Sequence, residues 1–143
     1  MSRIKFLTLL CCLSAVLFAD AWAPFLTIPE ATNYKDGCFF GDFVSVGADR
    51  RPETANNCWV WTEGDLMHFH FELEEPRMAK VPMNIKEHDS AVWEDDTGEV
   101  FLYPTPDTYY HFIFNPIGTR YDEKMDDKSW DCDWSVSVKR ELY

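Results

Sequence analysis

The sequence predicts an all-β fold, an antiparallel β-sandwich of the immunoglobulin or jelly-roll kind. Two patterns and one absence carry that prediction. Residues 66–73 alternate: Met67, Phe69, Phe71 and Leu73 fall on one side, His68, His70 and Glu72 on the other. That is the period of a half-buried strand. Turn signals recur between short apolar runs, at Glu63-Gly64-Asp65, Pro104-Thr105-Pro106-Asp107 and Pro116-Ile117-Gly118. No amphipathic stretch is long enough to supply the crossover helices of an α/β fold.

The elements follow in order. Residues 39–46 form an aromatic and β-branched run, and residues 58–62 form another. Glu74-Glu75-Pro76 stops the strand at 66–73. Residues 78–90 are polar and mixed, as a loop with a short turn of helix would be. Strands are expected over 99–103 and 108–115, and a polar acidic loop over 120–133. Residues 134–138 alternate again, with Val136 and Val138 to one side. The chain stops at Glu141-Leu142-Tyr143 soon after that alternation begins, so the sandwich is expected to lack its last strands.

The N-terminus has the pattern of an export signal. Arg3 and Lys5 precede an apolar run over 6–18, too short to span a bilayer, and Ala19-Asp20-Ala21 is a small-x-small cleavage site. The expected organisation is a signal peptide over 1–21 and one domain over 22–143. The expected location is secreted, periplasmic or at the cell surface, with no membrane insertion after cleavage. Cleavage would remove Arg3, Lys5 and Asp20, leaving 11 basic and 24 acidic residues, net −13. Such a chain repels nucleic acid and anionic membranes and suits neutral partners or cations. Cys38, Cys58 and Cys132 remain. Three thiols allow at most one internal disulfide, with Cys38–Cys58 the first guess.

One segment is poor core material. Residues 92–103 set Trp93 against Glu94, Asp95 and Asp96, and the turn runs straight into a strand. An indole face suits a flat apolar partner such as a sugar ring, and carboxylates accept hydrogen bonds from hydroxyls. Alternation places Glu99, Phe101 and Tyr103 on one face of one strand, and Tyr109, His111, Ile113 and Asn115 on one face of the next. If the two strands pair, these residues share a surface with Trp93 at its edge. The structural alternative is a Trp covering the sandwich edge, with Glu99 facing solvent.

Three stretches resemble carbohydrate-binding module family 9 and the broader family-9-like, DOMON-related sandwich domains of exported bacterial proteins. They are residues 61–72, residues 92–103 with their W-E-D-D-x-x-E-V-F run, and residues 109–118. The likeness covers roughly residues 35–143. It implies a non-catalytic β-sandwich that binds polysaccharide or oligosaccharide and serves polysaccharide degradation. Trp93 matches a clamp residue, Glu99 its acidic partner, and Asn115 a polar residue at the end of the next strand. Ile113 stands where the sugar binders carry a basic residue, and a second clamp Trp is absent, so modest affinity is expected.

Other chemistries find less support. No G-x-S-x-G, H-E-x-x-H or Cys-His signature is present, so no enzyme is expected. No cofactor or metal is expected either. Calcium on Glu94-Asp95-Asp96 lacks a loop motif, and a solvated acidic turn is the simpler reading for it and for the acidic residues at 122–127. His68 and His70 form a metal pair without an evident third ligand. Related sandwiches also carry haem for electron transfer, for which Met67, Met83, His68 and His70 are the available ligands. A surface or adhesion domain without a small ligand is the third alternative.

Overall fold

The computed structural model of the chain describes residues 2–7, 27–41, 43–45 and 53–142. Among the described residues there are eight strands: β1 (Ser2–Leu7), β2 (Cys38–Phe40), β3 (Asn56–Glu63), β4 (Leu66–Glu75), β5 (Gly98–Thr105), β6 (Thr108–Phe114), β7 (Arg120–Lys124) and β8 (Ser137–Leu142). They form two antiparallel sheets, one ordered β2-β3-β4-β1-β8 and the other β5-β6-β7. Among the described residues, helix is confined to single 3-10 turns at Tyr34–Asp36, Met78–Lys80 and Val92–Glu94. The described residues are therefore all-β.

The alternation of residues 66–73 has the predicted consequence. In the β3–β4 hairpin, Cys58 opposes Phe71 and Val60 opposes Phe69. All four are buried in one cluster with Val100, Phe112 and Phe114 of the other sheet and Trp134. Gly64 turns the hairpin at φ 59°, a left-handed conformation that glycine adopts without a Cβ penalty. The opposite face of the hairpin carries Trp59, Trp61, His68 and His70. Tyr34 stacks on His70 at 3.8 Å, and Trp61 stacks on His68 at 4.9 Å.

β1 lies inside the stretch that the sequence assigns to an export signal. Its backbone pairs with β4 and with β8 across Ser2–Leu7. The apolar run beyond Leu7 and the cleavage site at 19–21 lie outside the described residues, as do Asp42 and Val46 of the run at 39–46.

Three expectations need correction. Residues 120–124, expected as loop, form β7, which pairs with β6 from Tyr110↔Lys124 to Phe114↔Arg120. Charged residues at alternate positions hid a strand whose partner, β6, supplies the apolar side chains. The last strand starts at Ser137 rather than Trp134, because Trp134 leaves the sheet pattern to enter the core, where it is 2% exposed. The Cys38–Cys58 bridge is not formed. Cys38 faces Val60 while Phe40 faces Cys58, so the two cysteines are two residues out of register, and both are thiols. Burial pushes the Cys58 thiol up to about 12, which keeps it protonated and unreactive.

Candidate functional site

Alternation along β6 divides its side chains between two destinations. Tyr110, Phe112 and Phe114 turn inward, where Tyr110 and Phe112 meet Trp130 and Phe112 also meets Trp134. Tyr109, His111 and Ile113 turn outward beside Phe101, Tyr121 and Glu123 of the flanking strands. This outward face is the candidate site.

Part of the face is covered. The loop before β5 packs Val92, fully buried, and Ile85 onto Ile113 and Tyr121. Asp95 and Asn115 hold that loop down. Asp95 accepts the backbone N–H of Asn84 through Oδ1 at 2.9 Å and that of Ile85 through Oδ2 at 2.9 Å. Asn115 donates to Asp95 at 3.0 Å and to the Ile85 carbonyl at 2.8 Å. Its Oδ1 accepts from Ile117 and Thr119. Burial pushes the Asp95 carboxyl up, but these three donors outweigh it and hold the group below its ordinary value. The acidic turn is thus not uniformly solvated: Asp95 is buried while Glu94 and Asp96 are exposed.

The rest of the face is partly open: Phe101 and Tyr103 are exposed, while Glu99, His111 and Glu123 between them and the loop are half-buried. His111 Nε2 lies 2.8 Å from Glu99, and its Nδ1 lies 3.4 Å from Glu123. The imidazole bridges these carboxylates and stacks flat on Phe101, with centroids 3.9 Å apart. Tyr109 sits beside Phe101 and Tyr103 and donates to Asp126 at 3.3 Å. Tyr121 donates to Glu123 at 2.6 Å and meets Trp93 edge-on at 5.1 Å. Burial first, and that bond to Glu123 second, hold the Tyr121 phenol protonated far above its usual range. Trp93 is 45% exposed, with the Lys128 ammonium 5.1 Å from its ring centroid. Trp93, Glu99 and Phe101 also line a groove of about 840 Å³, together with Phe43, Glu75 and Thr97. Gly98 opens β5 opposite Phe114, whose ring occupies the space a Cβ would need.

Four residues singled out from the sequence therefore meet. Trp93, Glu99, His111 and Tyr109 belong to one surface, linked through Tyr121, Glu123 and Phe101. Asn115 does not join them. It is fully buried, and its amide is engaged with the loop and with its own turn. Glu123 and Tyr121 are not evident from the sequence, because the charge of residues 120–124 has the look of a loop. Their i, i+2 spacing was the available signal. Lys128 had none.

The acidic residues at 122–127 are also partnered. Asp122 is fully buried and accepts from Trp134 Nε1 at 2.6 Å and from the Cys132 N–H at 2.9 Å. Asp127 accepts from the Ser129 hydroxyl and N–H. His68 and His70 are each stacked on a ring, and Met67 packs on the other face of β4, against the core. The structure does not bring those three together as a ligand set. Among the described residues, no helix is long and apolar enough to cross a membrane. No family model, no curated protein and no solved structure matches the chain.

Proposed function

We propose that the chain is an exported, non-catalytic carbohydrate-binding module with a β-sandwich architecture. The observation that carries this reading is the open face of β5-β6-β7. Three exposed rings (Trp93, Phe101 and Tyr103) and the half-buried Tyr109 lie beside carboxylates (Glu99, Glu123 and Asp126) on a surface that borders a groove. Rings offer stacking area to the C–H faces of a sugar, and carboxylates accept from its hydroxyls. In this reading Trp93 stacks, while Glu99, His111 and Tyr109 bond hydroxyls. Asn115 serves by anchoring the loop that carries Trp93. The sandwich reading is supported by a core cluster that draws side chains from both sheets. Affinity is modest, because hydroxyl desolvation offsets part of the stacking gain.

The test is affinity electrophoresis and calorimetry against xylan, cellulose and short oligosaccharides. Binding that weakens about tenfold in Trp93→Ala is expected, the size of about 1.4 kcal/mol of stacking. No binding by the folded protein, or equal binding by the variant, refutes the proposal.

A further inference from the structure

Away from the open face, His88, Asp89 and Asp122 each bring one potential ligand atom within 4.8 Å of the others. The orientation of the imidazole points to what they hold. His88 Nδ1 lies 3.0 Å from the Arg120 carbonyl oxygen. A carbonyl only accepts, so Nδ1 carries the hydrogen and Nε2 is left to face the carboxylates. Nε2 lies 3.1 Å from Asp89 Oδ2 and 3.6 Å from Asp131 Oδ1. In the neutral ring this directs a nitrogen lone pair at acceptor oxygens, an arrangement that a cation between them relieves. An imidazole whose outer N–H is fixed by a backbone carbonyl is the usual arrangement of a metal-ligating histidine.

One carboxylate and the backbone of another are fixed beside the imidazole. Asp122 is fully buried, and each of its oxygens already accepts one hydrogen bond from Trp134 or Cys132, leaving further lone pairs. The Asp89 N–H donates to the Arg120 carbonyl, which ties the backbone beside the site to β7. Among the described residues, no lysine or arginine forms an ion pair with Asp89, Asp122 or Asp131. The nearby Arg120 guanidinium lies instead over the Trp134 ring.

We propose that His88, Asp89, Asp122 and Asp131 bind a divalent transition-metal ion of the zinc class. One nitrogen and three carboxylate ligands suit zinc, whereas calcium prefers oxygen ligands alone. The ion would clip the loop that carries His88 to β7 and to the segment before β8. Its ligands are not residues of the proposed sugar-facing surface, and it does not depend on the carbohydrate reading.

The test uses the full chain stripped with EDTA and titrated with ZnCl₂ or CaCl₂ by calorimetry, with thermal melts in parallel. One saturable zinc site of micromolar affinity is expected, with the melting temperature raised by roughly 5–10 °C at a hundredfold excess over Kd. His88→Ala and Asp131→Asn should each weaken zinc at least tenfold. The second variant changes an exposed side chain, so its fold is not at risk, and far-UV circular dichroism checks both. Absence of saturable zinc binding overturns the proposal. So does zinc binding unchanged in folded His88→Ala, or calcium binding tighter than zinc.

Discussion

The outward face of β5-β6-β7 has two halves that share strands, register and alternation but differ in fate. On one, Ile113 and Tyr121 are buried beneath Val92 and Ile85. On the other, Phe101 and Tyr103 remain exposed one or two residue pairs away. Alternation alone gives both halves an aromatic or apolar row. The difference arises from a polar pair at the boundary. Asp95 and Asn115 fasten the loop over Ile113 and reach no further. An apolar row without such a fastened lid stays open to solvent, where the proposed ligand would stack.

The sharpest way to break this contrast is to cut the fastening. Asn115→Ala removes an amide that makes four hydrogen bonds, two as donor and two as acceptor, in a fully buried place. A loss of about 3 kcal/mol is expected in denaturant unfolding, because the partners lose both their bonds and their access to water. Asp95→Ala should cost a similar amount. The open half should respond in the opposite sense. Phe101→Ala is expected to change stability by less than about 1 kcal/mol while weakening oligosaccharide binding about fivefold. If Phe101→Ala unfolds the protein, or if Asn115→Ala leaves stability intact, the two halves are not the lid and the site.

Acid sharpens the same comparison with a smaller effect. The folded state holds the Asp95 carboxyl below its ordinary 3.8. Its contribution is therefore present above pH 3.8 and is lost as pH falls through the folded value. Wild type should lose stability across that window more steeply than Asp95→Asn, whose side chain does not titrate. Parallel acid profiles for the two would show that Asp95 does not carry the fastening.

The sequence made the open half more legible than the covered half, for reasons that lie in the residues. Alternation placed Glu99, Phe101 and Tyr103 together, and Tyr109 with His111, because a period of two needs no tertiary information. Trp93 stood out because carboxylates flank it. The loop was illegible. Asp95 reads as one of three like charges in a turn, and nothing local reveals that two distant N–H groups and Asn115 will claim it. Asn115 carries the converse lesson: it lies on the outward side by alternation, yet the loop takes it out of reach. β7 is hidden because Asp122, a charged residue, occupies an inward position that the distant Trp134 and Cys132 make tolerable. Long-range hydrogen bonds of this kind leave no periodic trace.

Lys128 is the smallest lever and tests where the open half ends. Its ammonium stands 5.1 Å from the Trp93 ring centroid, a cation–π contact worth about 0.5 kcal/mol at an exposed site. A sugar stacking on that face must displace it. Lys128→Ala should then bind oligosaccharide about twofold more tightly, with stability within about 0.5 kcal/mol of wild type. A fall in affinity would give Lys128 a different role, that of a donor to sugar hydroxyls reaching over the indole. An unchanged affinity in calorimetry, with Trp93→Ala still impaired, would move the stacking to the ring face away from Lys128, toward the groove shared with Glu99 and Phe101.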